Sequence, residues 1–458
     1  MNIVKNECYE IEITSVTSEG NGVGKIDGFA LFVPETAIGD IVLVKVLKVL
    51  KSYGFGKVVS LLKPSANRIK EDCACYTQCG GCSYRHISYD AELSLKEDLV
   101  VNAFQRLGNV DVACTNIIGS ERINSYRNKA QYPVGKDKDG NIISGFYAKR
   151  SHRIINSSFC KLQAEEFEQI KNTIIDFFNK SNISIYDEQK HTGLIRHIYI
   201  RKAEATNEVM VCLVATKPNI PKMDTLIDSL NSNFANIKSV IINVNAKQTN
   251  VILGDHCVTV YGTSYITDVI CGIKIKISPL AFYQVNKLQA EVLYQTAINY
   301  AELSKDDVLI DLYCGTGTIG LIAAHKVKQV IGIEIIPQAI ENAKENAKIN
   351  GIDNARFICA DAKKATKQLL TEGVVPDVVI VDPPRKGLDQ EVIDAIVQMC
   401  PRKIVMVSCN PATAARDTSL LEQNGYKAKI LTPVDMFPRT THVETTIMMT
   451  RCGFESKK

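Results

Sequence analysis

Hydrophobic periodicity changes character three times along the chain. From residue 9 to 62 short β-rich runs (9–16, 30–33, 41–50 and 56–61) alternate apolar and polar positions, separated by glycine-rich turns at 20–24 and 39–40. Such strands predict a small, OB-like five-stranded barrel over residues 1–62. Residues 91–107 and 164–179 then carry a helical period. Runs at 196–203, 208–215, 239–245 and 249–253 read as strands, with a further helix near 222–231. This describes an α+β unit over residues 91–283. From residue 284 to 458 the strands become short continuous apolar runs: 308–310, 330–333, 355–359, 378–381 and 404–407. Strands buried on both faces, with room for a helix between each, predict a doubly wound α/β domain with a parallel sheet.

The first of these strands carries candidate chemistry. Val308-Leu-Ile-Asp-Leu-Tyr-Cys-Gly-Thr-Gly-Thr-Ile-Gly320 runs from a buried strand through Gly315 and Gly317 into a helix, the pattern of a nucleotide-binding turn. Asp311 at the strand end would repel a pyrophosphate and hold a ligand bearing an ammonium. No Gly-Lys-Ser/Thr follows, which excludes a P-loop. The second strand ends in Glu334, placed to take both hydroxyls of a ribose, and the third leads to Asp361, placed to meet an adenine edge. Ribose, adenine and an amino group without phosphates describe S-adenosylmethionine.

Two further strand ends reach the same rim. One delivers Asp382-Pro-Pro-Arg385, the next Ser408-Cys-Asn-Pro411, and Glu444 follows within His442-Val-Glu-Thr445. A pyrimidine C5 carbon is a poor nucleophile until a thiolate adds at C6, and a base must afterwards remove the C5 proton. Cys409 and Glu444 supply that minimal set. RNA cytosine enzymes carry their cysteine in the Asp-Ala-Pro-Cys motif and base-amine enzymes carry an aromatic after the two prolines. Arg385 in that place leaves uracil C5. Gln284, in the segment leading to a predicted helix, is a candidate pocket residue.

The chain has 458 residues, 45% hydrophobic, with a net charge of +4. That length accommodates roughly two to four domains. No signal-peptide h-region and no run of about eighteen apolar residues is present, so a cytoplasmic protein without a membrane partner is expected. Its 15 cysteines without a secretory signal argue against a disulfide framework. Cys73, Cys75, Cys79 and Cys82 crowd around Gly80-Gly81 in segment 63–90, where thiolates at such spacing need a metal. Cys75, Cys79 and Cys82 have the spacing of radical S-adenosylmethionine enzymes. Cys73, Cys79 and Cys82 would instead want a fourth protein ligand, and Gly81 in place of an aromatic before the last cysteine favours this set. Between Glu121 and Arg153 eight Lys/Arg face three Asp/Glu. Arg122, Arg127, Lys129, Lys149, Arg150 and Arg153 are candidates for RNA phosphates, with Tyr132 and neighbouring aromatics for unpaired bases.

On these motifs the chain resembles the RNA uracil-5-methyltransferases, in particular the subfamily acting on 23S ribosomal RNA, and residues 1–62 resemble a TRAM domain. The resemblance implies a Rossmann-like class I methyltransferase domain with Cys409 as nucleophile and Glu444 as base. It implies Gln284, Tyr313, Glu334 and Asp382 as donor-site residues. It also implies a [4Fe-4S] cluster on Cys73, Cys79, Cys82 and Cys160, with Cys75 extra to the pattern. Transfer-RNA members usually lack the barrel and the cluster cysteines, which makes 23S ribosomal RNA the expected partner of a monomeric enzyme. Two other readings stay open: a radical enzyme using Cys75, Cys79 and Cys82, and an RNA-binding or redox-sensing protein with an idle transferase domain.

Overall fold

A computed structural model describes residues 3–453. The N-terminal strands Cys8–Val16, Gly22–Ile26, Phe29–Val33, Ile41–Val49 and Tyr53–Lys63 close a barrel. Its interior is filled by Ile11, Ile13, Leu31, Val33, Val42, Val44 and Val46. The glycine-rich stretch expected to be a turn supplies the second strand. A Cβ on Gly22 would stand 2.0 Å from the Thr36 hydroxyl and one on Gly24 2.8 Å from Ile11, so these glycines let neighbouring chains approach. Asp40 clamps the barrel to the following segment through a 2.8 Å ion pair with Arg68.

The central sheet has seven strands, in the spatial order His256–Gly262, Ile237–Val244, Val209–Ala215, Ile195–Lys202, Lys129–Lys136, Ile142–Tyr147 and Ile154–Asn156. Val209–Ala215 is buried at every position because it lies mid-sheet between two covered faces. The helices Glu165–Lys180 and Met223–Asn233 cover one face. Tyr199, Met210, Cys212 and Ile241 on the other share a core with the C-terminal domain. No strand forms at 249–253; the edge strand starts later, at His256, after a stretch held by Asn243 and Asn245 side chains.

The C-terminal sheet has eight strands in the order Ala355–Cys359, Gln329–Glu334, Val308–Leu312, Val378–Val381, Lys403–Ser408, Glu444–Arg451, Tyr426–Val434 and Ala113–Cys114. The first five run parallel; Glu444–Arg451 pairs antiparallel with both neighbours. Helices lie on both faces, which is the doubly wound α/β arrangement expected from the sequence. Residues before 120, grouped by sequence with the central unit, reach into this domain. The helix Tyr89–Asn102 and its π-helical continuation Ala103–Gly108 bury Val100, Ala103 and Phe104 among its core residues, and Ala113–Cys114 adds an edge strand. No helix among the described residues is long and apolar enough to cross a membrane.

Candidate active site and RNA interface

The candidate donor-site residues converge at the carboxyl ends of the parallel strands. Tyr313 turns the chain at φ +65°, and Gly315 and Gly317 follow at +55° and +79°, opening the helix Thr318–Ala323. Asp311 does not stand free: its Oδ2 accepts from the Gly320 amide at 2.8 Å, fixing the loop. Its Oδ1 is buried with no partner. An orphaned carboxylate oxygen fits a cation donor arriving from outside, such as the ammonium of S-adenosylmethionine. Glu334 accepts from the Gly315 and Ile336 amides (3.2 and 3.0 Å) and is only partly buried. Beside it Ile335 and Ile336 expose more than half their surface, an apolar shelf available to a flat ring. Asp361 caps the helix Ala362–Thr371 through the Lys363 amide at 3.1 Å.

Gln284 precedes the helix Lys287–Ala301, whose cap Asn286 accepts from the Gln289 amide. Asn128 of the central unit binds the Gln284 carbonyl at 2.8 Å, and the Gln284 side chain bonds the buried Tyr294 hydroxyl. Tyr294 is within electrostatic reach of Asp382, Glu444 and Asp311, and burial pushes its phenol far up. No sequence signal singled it out, since its spacing is that of an ordinary core position.

Ser408 and Thr445 are register partners, so Cys409 and Glu444 lie on adjoining strands at the same end of the sheet. Thr445 Oγ1 donates to the Ser408 carbonyl at 3.2 Å. Asp382 follows the neighbouring strand, Val378–Val381. Asn410 and Thr413 both donate to the Arg385 carbonyl (3.0 and 3.3 Å), tying the Pro-Pro-Arg loop to the cysteine loop. Glu444 is 4% exposed. Burial, then the charge of Asp382, pushes its carboxyl up to about 8. Burial alone pushes Asp382 up to about 7, and Asp311 rises to the same value chiefly by burial. The Cys409 thiol is raised by burial and then by Glu444 and Asp382, and lowered by Arg385. Three acids in a dry rim favour a cationic ligand, which would relieve their mutual repulsion.

The cysteines expected to hold a metal line one cavity of about 240 Å³, Cys75 included, together with Arg85, Arg127 and Lys129. Cys82 Sγ accepts from Arg85 Nε at 3.4 Å and Cys79 Sγ from the Gly81 amide at 3.4 Å. Cys160 receives the Leu162 and Gln163 amides. Donors aimed at sulfur suit thiolates rather than thiols. Burial raises the Cys82 thiol to about 11. No group of three or more His, Cys, Asp or Glu among the described residues is drawn up to hold a metal ion.

The basic region divides. Arg127 and Lys129 face the cysteine cavity, and burial lowers Lys129 to about 8. Arg122 pairs with Glu204 and Arg150 with Glu19 of the barrel. Lys149, Arg150 and Arg153 are exposed. Tyr132 is 1% exposed and packs on Phe146 within the central core. Its ring is closed to a base, because alternation along a strand does not reveal which face is covered. Accessible aromatics lie on the barrel instead. Phe32, Tyr53 and Phe55 contact one another with ring centroids 5.1–5.7 Å apart, half-buried on the outer face, with Lys48 the register partner of Phe55 and Lys57 two positions along. The loop before Gly22 packs on the turn that leads into the strand Glu444–Arg451: a Cβ on Gly20 would stand 2.8 Å from Thr441.

Residues 88–452 match the family model described as tRNA (uracil-5-)-methyltransferase, and residues 5–59 match the TRAM domain. A protein from Clostridium tetani described as an RNA methyltransferase is 44% identical over 99% of both chains, and one from Oceanobacillus iheyensis is 44% identical over 97% of both. The crystal structure of the Pyrococcus abyssi tRNA (uracil-54, C5)-methyltransferase with S-adenosyl-L-homocysteine superposes with a TM-score of 0.77. It is 27% identical and covers 96% of this chain and all of that one. With a TRAM barrel in front of a methyltransferase sheet, and matches spanning nearly its whole length, the chain belongs to the RNA uracil-5-methyltransferase family, whose methyl donor is S-adenosylmethionine.

Proposed function

We propose that the protein methylates C5 of a uridine in 23S ribosomal RNA through a covalent adduct at Cys409. The carrying observation is that Cys409 and Glu444 end adjoining strands beside Asp382. Glu444, with its carboxyl raised to about 8, is mostly protonated at neutral pH, so its charge then adds little to the opposition that burial and Asp382 offer the thiolate. Arg385 favours the thiolate. The Cys409 thiolate adds to C6, so that C5 gains carbanion character. S-adenosylmethionine, held by Gln284, Asp311, Tyr313, the Gly315–Gly317 turn, Glu334, Asp361 and Asp382, supplies the electrophilic methyl. Glu444, ionised after its proton has left for solvent, then takes the C5 proton; the C5=C6 bond re-forms and the C6–S bond breaks.

RNA meets the exposed Lys149, Arg150 and Arg153, and unpaired bases stack on the Phe32, Tyr53 and Phe55 rings. Cys73, Cys79, Cys82 and Cys160 hold a [4Fe-4S] cluster. Five thiols around one cavity, with N–H donors aimed at the sulfurs of Cys79 and Cys82, suit a multi-iron cluster better than one ion. When bound it supplies a rigid crosslink between segment 73–82 and the central unit.

Transfer RNA is the second substrate reading, favoured by one observation: the Pyrococcus abyssi enzyme, which acts on tRNA, superposes over 96% of this chain. The test incubates protein and S-adenosylmethionine with ribosomal RNA lacking base methylation and, separately, with unmodified transfer RNA, and maps 5-methyluridine by mass spectrometry. A discrete ribosomal site absent with Cys409→Ala is expected. Signal in transfer RNA alone overturns the ribosomal assignment, and undiminished signal with Cys409→Ala overturns the nucleophile.

A further inference from the structure

Between the antiparallel strands Tyr426–Val434 and Glu444–Arg451 runs a turn whose successive carbonyls are held by four separate parts of the chain. Asn286, two residues after Gln284, donates to Met436 O at 3.1 Å. Lys96 donates to Phe437 O at 3.2 Å and Tyr126, in the basic region, to Pro438 O at 3.0 Å. The amides of Ser83 and Tyr84 donate to Arg439 O at 2.8 and 3.2 Å. Ser83 directly follows Cys82.

Arg439 closes the contact in both directions. Its guanidinium returns to the Ile87 and Tyr84 carbonyls (3.0 and 3.4 Å), and its amide donates to Glu92 Oε1 at 2.6 Å. Lys96, 1% exposed, bridges Glu92 and Asp435 at 2.7 Å each. Arg439 is held at φ +69°. A non-glycine residue in that region costs roughly 1–2 kcal/mol and persists only when its surroundings over-determine it. Here five groups bond Arg439 itself and three more hold the carbonyls just before it, five residues ahead of Glu444.

We propose that Arg439 is a positioning residue through which the segment carrying Cys79 and Cys82 sets the placement of the Glu444 carboxylate. The turn leads directly into Glu444, and at Arg439 it is fastened to the amides of Ser83 and Tyr84, the two residues that follow Cys82. Order in the cysteine segment therefore becomes accuracy at the base. This rests on the covalent reading above, in which Glu444 acts only after methyl transfer, when C5 bears both a methyl and a proton. A displaced base leaves adduct formation intact and slows proton removal and expulsion of the thiolate.

The test compares full-length wild type, Arg439→Gly and Arg439→Lys with unmethylated ribosomal RNA and S-adenosylmethionine. Covalent protein–RNA complex on denaturing gels and released 5-methyluridine are followed in parallel. Glycine accepts the φ of +69° but has no guanidinium. We expect Arg439→Gly to form adduct within about twofold of wild type while release slows about tenfold or more, so that adduct accumulates. Arg439→Lys, which keeps a donor for Ile87 and Tyr84, recovers part of the release rate. Equal loss of both steps, which simple destabilisation gives, overturns the proposal, and so does an unchanged ratio of release to formation. Absence of any transient adduct in the wild type defeats the covalent reading instead.

Discussion

Replacing Glu444 by Gln should make the protein more stable as well as inactive, and the gain should depend on pH. The folded-state carboxyl stands at about 8 against an ordinary 4.5, through burial and then Asp382. A raised value means that its contribution is fully present below the unfolded value and is lost as pH rises to the folded one. At about 1.4 kcal/mol per pH unit the ionised group costs the fold roughly 4–5 kcal/mol at the alkaline limit. Gln cannot ionise. The stability of the Glu444→Gln protein relative to wild type should therefore widen by roughly 3–4 kcal/mol between about pH 5 and pH 8, then level off. Asp311 and Asp382, each raised to about 7 chiefly by burial, are present in both proteins and drop out of the difference to first order. The chain has no tryptophan, so urea titrations read by far-UV circular dichroism at a series of pH values give the comparison. In the same protein, adduct with ribosomal RNA should form and persist. A stability difference that stays flat across the range would refute the assignment of a dry, neutral carboxyl at the end of this strand.

Three other outcomes are expected. Gly317→Ala forces a side chain into φ +79° with its Cβ 3.0 Å from the Phe357 ring, and calorimetry with S-adenosylhomocysteine should show at least a tenfold affinity loss, about 1.4 kcal/mol. Phe55→Ala should weaken RNA binding by about 1–3 kcal/mol with the salt dependence intact, whereas Lys57→Ala should reduce the salt slope by about one; filter binding at several salt concentrations separates the two. Anaerobically purified Cys73→Ser should lose its iron and visible absorbance while Cys75→Ser keeps both; the reverse result would assign the cluster to the radical-enzyme spacing.

The strand, turn and helix of the candidate donor loop were legible because their parts are local. Asp311, Gly315 and Gly317 lie within seven residues, and each needs only its own strand end to be placed. Cys409 and Glu444 are far apart in sequence, yet each sits at a strand end in a doubly wound sheet, where chemistry gathers. Tyr132 misled because a strand's alternation does not show which side another layer covers. Gly22 and Gly24 misled because glycine marks a close approach as readily as a turn. Glu92 and Lys96 carried no warning: on a helix they look like an exposed i,i+4 pair, and only Asp435 and Arg439 reveal the burial.

That buried quartet has a consequence for how the protein is made. Lys96 and its partner Asp435 are separated by 339 residues, a stretch that takes roughly twenty seconds to a minute to synthesise. Throughout that interval the helix Tyr89–Asn102 is outside the ribosome with Val100 and the adjoining Phe104 uncovered and its lysine half-paired. The barrel can close on its own strands at once, whereas the methyltransferase sheet must wait for the last strands of the chain. A nascent chain stalled before Asp435 thus exposes the inner face of this helix, with Val100, Phe104 and an unmatched buried charge, next to a finished domain, the kind of surface that chaperones and proteases recognise.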